Sequence, residues 1–347
     1  PPPPDNTTLY SSSAASDVYK RQRLGRAPAG RRRPLPRHAR TMTADALRRT
    51  VRAHEPGRVR TVDATAATAA AVLAAKGGRT VSVCVPCRDE AATVGSLVSV
   101  IRTELMETTG VVDELIVLDD RSTDDTAQVA AHAGAHVVSI DDVHAMYGGG
   151  HGKGNALWAT LLVSRGDIVV WCDGDVTSFE PSWVLRLLWP LLQDDTVSLV
   201  KALYHRPSHS GGGGRTTELV ARPLMSMYFP ELTGLAQPLS GEYAVRRSAV
   251  DTLPFQQGWG VEMALLIDVV RRDGPDAIAQ VDLGERIHSS RSLHSLSVQA
   301  AEVMATMLER AGVPAPSEDR VLRRADGSVV PLNLDTRPPL AELGESR

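Results

Sequence analysis

Asp173-Gly174-Asp175 closes the apolar run Ile168-Val169-Val170-Trp171-Cys172. In an extended strand, residues two apart point to the same side. This ending therefore sets two carboxylates side by side with only a glycine between them. Unpaired, they repel. A Mg2+ or Mn2+ shared with a diphosphate removes the conflict, because hard cations keep few protein oxygens and take phosphate oxygens for the rest. A lone D-x-D is a weak motif, but this one follows Gly148-Gly149-Gly150 and His151-Gly152-Lys153-Gly154-Asn155. There the glycines allow close backbone approach, and a lysine opens a helix as a counter-charge for phosphate. The P-loop spacing is absent. The competing reading is a glycine loop with no function.

Three further groups have chemistry in their residue types. Pro86-Cys87-Arg88-Asp89-Glu90 follows the run Val81–Val85. Its acids can receive ribose hydroxyls or a base N–H, or Asp89 can simply cap a helix. Asp119-Asp120-Arg121-Ser122-Thr123-Asp124 follows Leu115–Leu118. Ser122, Thr123 and Asp124 suit helix caps, whereas Asp119 and Asp120 repel unless a cation, donor or water is near. Gly284-Glu285-Arg286-Ile287-His288 follows Ala277–Leu283. His288 is there either a structural histidine or an imidazole that completes a metal shell.

The elements that must position these groups alternate. Val81–Val85, Leu115–Leu118, His136–Ser139 and Asp167–Cys172 read as short strands. Glu90–Leu105, Asp125–His132 and Lys153–Val163 read as helices between them, by spacing of apolar residues and the stop at Gly134. Such alternation predicts an α/β fold on a mostly parallel sheet, whose ligands bind at the carboxyl ends of the strands. The second half is less regular: helices over Thr216–Tyr228, Val261–Arg272 and His294–Arg310, and the strand Ala277–Leu283.

Charge divides the chain. The 347 residues carry 38 Lys+Arg against 41 Asp+Glu, a net of −3. Residues 1–60 hold 14 of those basic residues and 4 of the acids, so the remainder is an acidic body of −13. Residues 1–41 contain seven of the 22 prolines and an Arg-rich stretch, and read as disordered. They look like a tag or an assembly artefact ahead of Met42, and no nucleic-acid partner is expected. Residues 1–76 are expected to be a low-complexity extension, 77–205 and 206–314 the two halves of the folded body, and 315–347 a loosely packed tail. Cys84, Cys87 and Cys172 lack a second C-x-x-C and are read as reduced core thiols of a cytoplasmic protein. No apolar stretch reaches the ~18 residues of a membrane helix, so no membrane partner is expected.

Taken in order, "DELIVLDDRSTDDT", "GKGNALW", "GDIVVWCDGD", "LVKALYHRP", "GGGGRTTELVARPL", "QPLSGEYAVRR", "GWGVEMALLIDVV" and "DAIAQVDLGERIH" resemble the actinobacterial glucosyl-3-phosphoglycerate synthase family of retaining glycosyltransferases. The resemblance covers roughly Thr80 to Ala311. It implies a GT-A fold, Rossmann-like and mostly parallel, with a mixed α+β acceptor-binding part. It also implies glucose transfer from UDP-glucose to 3-phosphoglycerate with retention, a Mg2+ or Mn2+ cofactor and a homodimer. Residue by residue, it places Pro86 and Glu90 at the uridine and ribose, Asp120 near the uracil, and Lys153 facing the diphosphate and sugar. Asp173 falls near ribose or sugar hydroxyls, Asp175 and His288 are metal ligands, and Glu262 faces the glucose. Gly214, Arg215 and Thr217 match the loop that holds the acceptor. Lys153, Asp175 and Glu262 are thus the catalytic candidates.

The chain departs from the family pattern in several places. "L-x-S-G-S" reads Leu118-Asp119-Asp120-Arg121-Ser122, Ser289-Ser290 follows His288 where an asparagine is usual, and Trp259 replaces a tyrosine. These changes leave two rivals: a GT-A enzyme with another acceptor or donor, and a catalytically silent member that binds or scaffolds. An acidic enzyme for two anionic substrates cannot rely on global attraction. Its local positive charge must come from a metal, Lys153 and Arg215.

Overall fold

A computed structural model describes residues 59–205, 214–286, 292–313 and 320–344. In chain order the first half contains β1 (Arg60–Thr61), α1 (Ala69–Lys76), β2 (Val81–Cys87), α2 (Val94–Val100, continued by π-turns over Ile101–Thr108), β3 (Glu114–Asp119) and α3 (Thr126–Ala133). It continues with β4 (His136–Ser139), α4 (Ile140–Tyr147), α5 (Lys153–Val163), β5 (Ile168–Trp171), α6 (Pro181–Gln193) and β6 (Leu199–His205). The second half has a π-turn (Thr217–Ala221) running into α7 (Arg222–Tyr228), then β7 (Tyr243–Arg246), α8 (Arg247–Val250), β8 (Phe255–Gln256) and α9 (Val261–Asp273). It ends with β9 (Ile278–Glu285), α10 (Leu293–Arg310), the hairpin β10–β11 (Val321–Arg323, Val329–Pro331) and β12 (Thr336–Arg337).

One sheet in the order β1-β9-β6-β7-β5-β2-β3-β4 carries the fold, and β7 is antiparallel to both its neighbours. Every other pairing in it is parallel. Both faces are covered, as the continuous apolar runs of the central strands require. Val83, Val85, Val117 and Val170 pack toward α1, α2 and α6, while Cys84, Ile116, Trp171 and Val169 join Trp158 and α9 on the other face. From β2 the chain steps to β3 on one side and returns to β5 on the other. That switch point opens a crevice at the carboxyl ends of β2, β3 and β5. Because β7 runs backwards, its amino end, Ser240–Glu242, reaches the same edge, as does Arg286 after β9.

The structure corrects four expectations. Residues 59–76 are not part of a low-complexity extension: β1 adds to the sheet through Arg60↔Ala279, and α1 packs on α6 with Val72 fully buried. An alanine-rich helix has few large side chains to announce a buried face, so composition merges it with what precedes it. The C-terminal segment is not loose. β12 pairs with β8, and Leu340 is buried. The sheet has no break at 205, since β7 and β9 interleave with strands of the first half. Finally, β2 does not stop before Pro86. Its ladder with β5 ends at Cys84↔Trp171 while that with β3 continues to Cys87↔Asp119. The missing N–H of Pro86 therefore falls on the side where no ladder bond is needed. Cys84, Cys87 and Cys172 are free and buried, and burial pushes the Cys84 thiol up to about 12. Residues 1–58 and His288 lie outside the described residues.

Candidate active site

The loops at the carboxyl edge are cross-laced before any ligand enters. Asp89 does not cap α2. Its carboxylate accepts from the Thr123 N–H at 2.7 Å, and its own N–H donates to Ser122 Oγ at 3.0 Å. The Ala91 N–H donates to Asp124 and the Glu90 N–H to Thr126 Oγ1. Asp89 and Arg121 both take a left-handed φ of 59°, a conformation costly for arginine. It explains why the family pattern has glycine at the Arg121 position. Here Arg121 is anchored by Asp141 at 2.8 Å and by His144.

A cavity of about 340 Å³ opens at this edge, lined among others by Pro86, Glu90, Asp120, Lys153, Asp173 and Asp175. Six residues expected at the donor are thus brought together. Asp119 and Asp120 separate: Asp119 turns back to accept from the Ser122 N–H, while Asp120, nearly buried, lines the cavity. Burial raises the Asp120 carboxyl against the pull of Arg88, Arg121 and the two histidines nearby.

The core of the site is an ionic network. Lys153 Nζ lies 2.8 Å from Asp173 and 2.9 Å from Glu262. Burial alone would lower the lysine, but the two carboxylates outweigh it and hold it well above its ordinary value. Arg286 joins the other acids, at 3.0 Å from Asp173, 2.9 Å from Glu242 and 3.5 Å from Asp175. Burial pushes the Asp173 carboxyl up, yet Lys153 and Arg286 bring it down to about 2. Glu242 is fully buried, which raises its carboxyl, and its Oε2 has no hydrogen-bond partner among the described residues. A Cβ on Gly241 would meet Asp173 Oδ2 at 1.9 Å, so only glycine lets this backbone pass the carboxylate.

Three of these residues escaped the sequence reading. Arg286 was overshadowed by its neighbour His288. Glu242 sits inside an otherwise apolar strand start. Lys201, in the middle of β6, has the look of a solvent-facing strand residue. Instead it is buried, donates to the Ser240 carbonyl at 2.5 Å and lies 4.1 Å over the Tyr243 ring. Burial pushes it down to about 7. The signal that could have found them is a repeated one: charged residues embedded in apolar strand ends need counter-charges.

Among the described residues no three acids, histidines or cysteines gather as a ready metal shell, but the chemistry of the cluster leaves carboxylate oxygen open to a divalent cation. Both oxygens of Asp173 are already taken by Lys153 and Arg286, whereas Asp175 Oδ1, 3.5 Å from Arg286, is buried without a hydrogen-bond partner among the described residues. Asp173, Asp175, Glu242 and Glu262 face three basic groups, Lys153, Lys201 and Arg286, among the described residues. Among the described residues Asp175 and Glu242 are thus the acids of this cluster that keep a buried oxygen without a hydrogen bond, and of the two Asp175 lines the cavity. Gly214, Arg215 and Thr217 stand apart from the donor cavity, at the start of the helical segment that packs on α10.

The low position of Asp173 has a consequence for stability. A carboxyl lowered from 3.8 to about 2 on folding stabilises the native state by about 2 kcal/mol above pH 4, and that contribution is lost as pH falls through 2. Asp173→Asn lacks it. In urea titrations the stability gap between wild type and Asp173→Asn should narrow from pH 5 to pH 2. A gap that stays constant over that range would show that Asp173 is not held low by its cations.

Comparison with known proteins places these observations. Residues 82–253 match the family model Glycosyl transferase family 2. The glucosyl-3-phosphoglycerate synthase of Mycolicibacterium paratuberculosis is 46% identical over 290 residues, 79% of this chain and 87% of that protein. The crystal structure of the Mycobacterium tuberculosis glucosyl-3-phosphoglycerate synthase with phosphoglyceric acid superposes with a TM-score of 0.76 at 42% identity, covering 82% of this chain and 99% of that one. The same enzyme with Mn2+, uridine-diphosphate-glucose and phosphoglyceric acid gives 0.74 at 43% identity, covering 83% and 96%. No helix among the described residues is long and apolar enough to cross a membrane.

Proposed function

The chain belongs to the glucosyl-3-phosphoglycerate synthase family, and from that premise we propose that it transfers glucose from UDP-glucose to the 2-hydroxyl of 3-phosphoglycerate with retention at the anomeric carbon. The observation that carries this reading is the meeting of Lys153, Asp173, Asp175 and Glu262 at one cavity on the carboxyl edge of the sheet.

Departure of UDP leaves negative charge on the diphosphate. Lys153 is held protonated by Asp173 and Glu262 and faces the cavity, so it offers fixed positive charge where that negative charge develops. Asp175, with His288 as a second ligand, would hold a Mg2+ or Mn2+, which when bound supplies further charge neutralisation at the leaving group. Pro86, Glu90 and Asp120 line the same cavity and are proposed to hold the uridine and ribose. Glu262 is committed to Lys153 at 2.9 Å and is nearly buried. That supports attack by the acceptor hydroxyl on the face UDP leaves, rather than a covalent intermediate on this carboxylate.

Gly214, Arg215 and Thr217 are proposed to take the acceptor phosphate, with the guanidinium as a two-pronged clamp. Positioning of that kind supplies much of the rate in a two-substrate transfer. The protein is further proposed to act in the cytoplasm as a homodimer.

The test is a donor-by-acceptor assay of UDP-glucose, GDP-glucose and UDP-galactose against 3-phosphoglycerate, with and without Mg2+. Metal-dependent transfer from UDP-glucose is expected. Release of UDP with no glucosyl product on 3-phosphoglycerate would favour another acceptor. Arg215→Ala should raise the KM for 3-phosphoglycerate about tenfold, the size of one charge-assisted contact, and leave the KM for UDP-glucose nearly unchanged. Equal effects on both substrates would remove Arg215 from the acceptor clamp.

A further inference from the structure

The glycine loop that delivers Lys153 is tied at both ends to the C-terminal segment. Arg337, on β12, is nearly buried. Its guanidinium donates to Asn155 Oδ1 at 2.7 Å, to the Tyr147 carbonyl at 3.2 Å and to the Gly148 carbonyl at 2.8 Å. It also lies 4.6 Å over the Trp158 ring, whose indole N–H donates to the Pro338 carbonyl at 2.9 Å. One side chain thereby joins the last carbonyls of α4 to the first turn of α5. At the other end of the loop, Asn333 Nδ2 donates to the His151 carbonyl, and the His151 N–H donates to Gln257 Oε1 at 3.0 Å. Asn333 is itself fixed by Glu302, which also accepts from the Trp259 N–H.

The loop needs such ties. Gly148-Gly149-Gly150-His151-Gly152 has little side-chain packing of its own, and glycine has more backbone freedom to lose than any other residue. Gly152 takes a φ of 83° immediately before Lys153, so the approach of the lysine to the cavity depends on how this turn is held. Gly152 and Lys153 both line the cavity. The partners Arg337 has among the described residues are carbonyl and amide oxygens and an indole face. That is the arrangement of a fork that sets backbone positions rather than of an ion pair.

We propose that Arg337, with Asn333, is a positioning residue of the donor site: the segment 333–338 straps the Gly148–Gly152 loop and thereby sets Lys153 against the diphosphate. The strap lies outside the 82–253 stretch that matches the family 2 model. The inference rests on the donor reading given above.

The experiment compares wild type with Arg337→Ala, Arg337→Lys and Asn333→Ala. Two readouts are used: steady-state kinetics with each substrate varied, and amide hydrogen exchange with and without UDP. Arg337→Ala should lower kcat/KM for UDP-glucose about tenfold to a hundredfold, as loss of two or three hydrogen bonds to charge implies. The KM for 3-phosphoglycerate should stay within about twofold of wild type, the scatter of an uncoupled site. Exchange should quicken in residues 147–153 and not across the sheet. Arg337→Lys keeps the charge but not the fork, and should recover part of the donor effect. Asn333→Ala should move both readouts the same way by less. If Arg337→Ala does not fold, the other two variants decide. Unchanged donor kinetics in folded variants, or equal losses for both substrates with exchange raised everywhere, would overturn the strap. Loop exchange is read without turnover. A wild type inactive on UDP-glucose would therefore refute the proposed function while the loop result still judged the strap.

Discussion

Asp175→Ala should lower metal-dependent turnover by about a thousandfold or more, the scale of losing a metal that stabilises a leaving group. The argument is one of spare valence. Asp173 has both oxygens engaged, by Lys153 and Arg286, and cannot take a cation without giving up one of them. Among the described residues Asp175 Oδ1, 3.5 Å from Arg286, and Glu242 Oε2 are buried without a hydrogen bond, in a cluster in which carboxylates outnumber cations, and of the two acids Asp175 lines the cavity. Removing that carboxylate takes away repulsion, so the melting temperature should hold or rise. Loss of activity in a protein of unchanged or higher melting temperature cannot be ascribed to unfolding. The check is a titration of activity against Mn2+ and Mg2+ beside a thermal melt. Near-normal turnover with an unaltered metal requirement would place the metal elsewhere.

Lys153→Ala should act on activity and stability together. Loss of a preorganised cation at a developing diphosphate costs about a hundredfold to a thousandfold in kcat. The same change leaves Glu262, with a side chain only 4% exposed, and Asp173 without their shared counter-charge. Breaking a buried ion pair from one side costs about 3–5 kcal/mol. The double variant Lys153→Ala/Glu262→Gln separates the two effects. It should regain much of the stability, because the stranded carboxylate is gone, and none of the turnover. Turnover that returned with stability would mean that Lys153 is only a structural partner of Glu262.

The donor half of the site could be read from the chain because its residues sit where strands end. Pro86 lies near the end of β2, and Glu90, Asp120, Asp173 and Asp175 follow β2, β3 and β5, whose apolar runs are plain. A parallel sheet sends all such ends to one edge. Arg286 and Glu242 were harder to read because they flank β9 and β7, which come late in the chain and enter the sheet by crossing over earlier strands. Lys201 was missed because β6 was not read as a strand, so nothing marked its lysine as buried between two covered faces. Residues 59–76 and the C-terminal segment were misjudged for a related reason. Alanines, arginines and asparagines state no periodic apolar face, yet Arg337 buries its stem on Trp158 and spends its donors on carbonyls.

By itself the sequence determined the strands β2 to β5 with α2, α3 and α5 between them, the position of the candidate acids and lysine along the chain, and the family. Each of these is written in local residue types and spacing. Only the tertiary structure decided which acid has an oxygen free for a metal, that Arg286 and Lys201 complete the buried charge, and that a C-terminal arginine holds the loop in front of Lys153. Those facts depend on which side chains share a few ångströms after strands distant in sequence have been paired. Electrostatic and hydrogen-bond energies are set by that distance and by the exclusion of water, neither of which is carried by position along the chain.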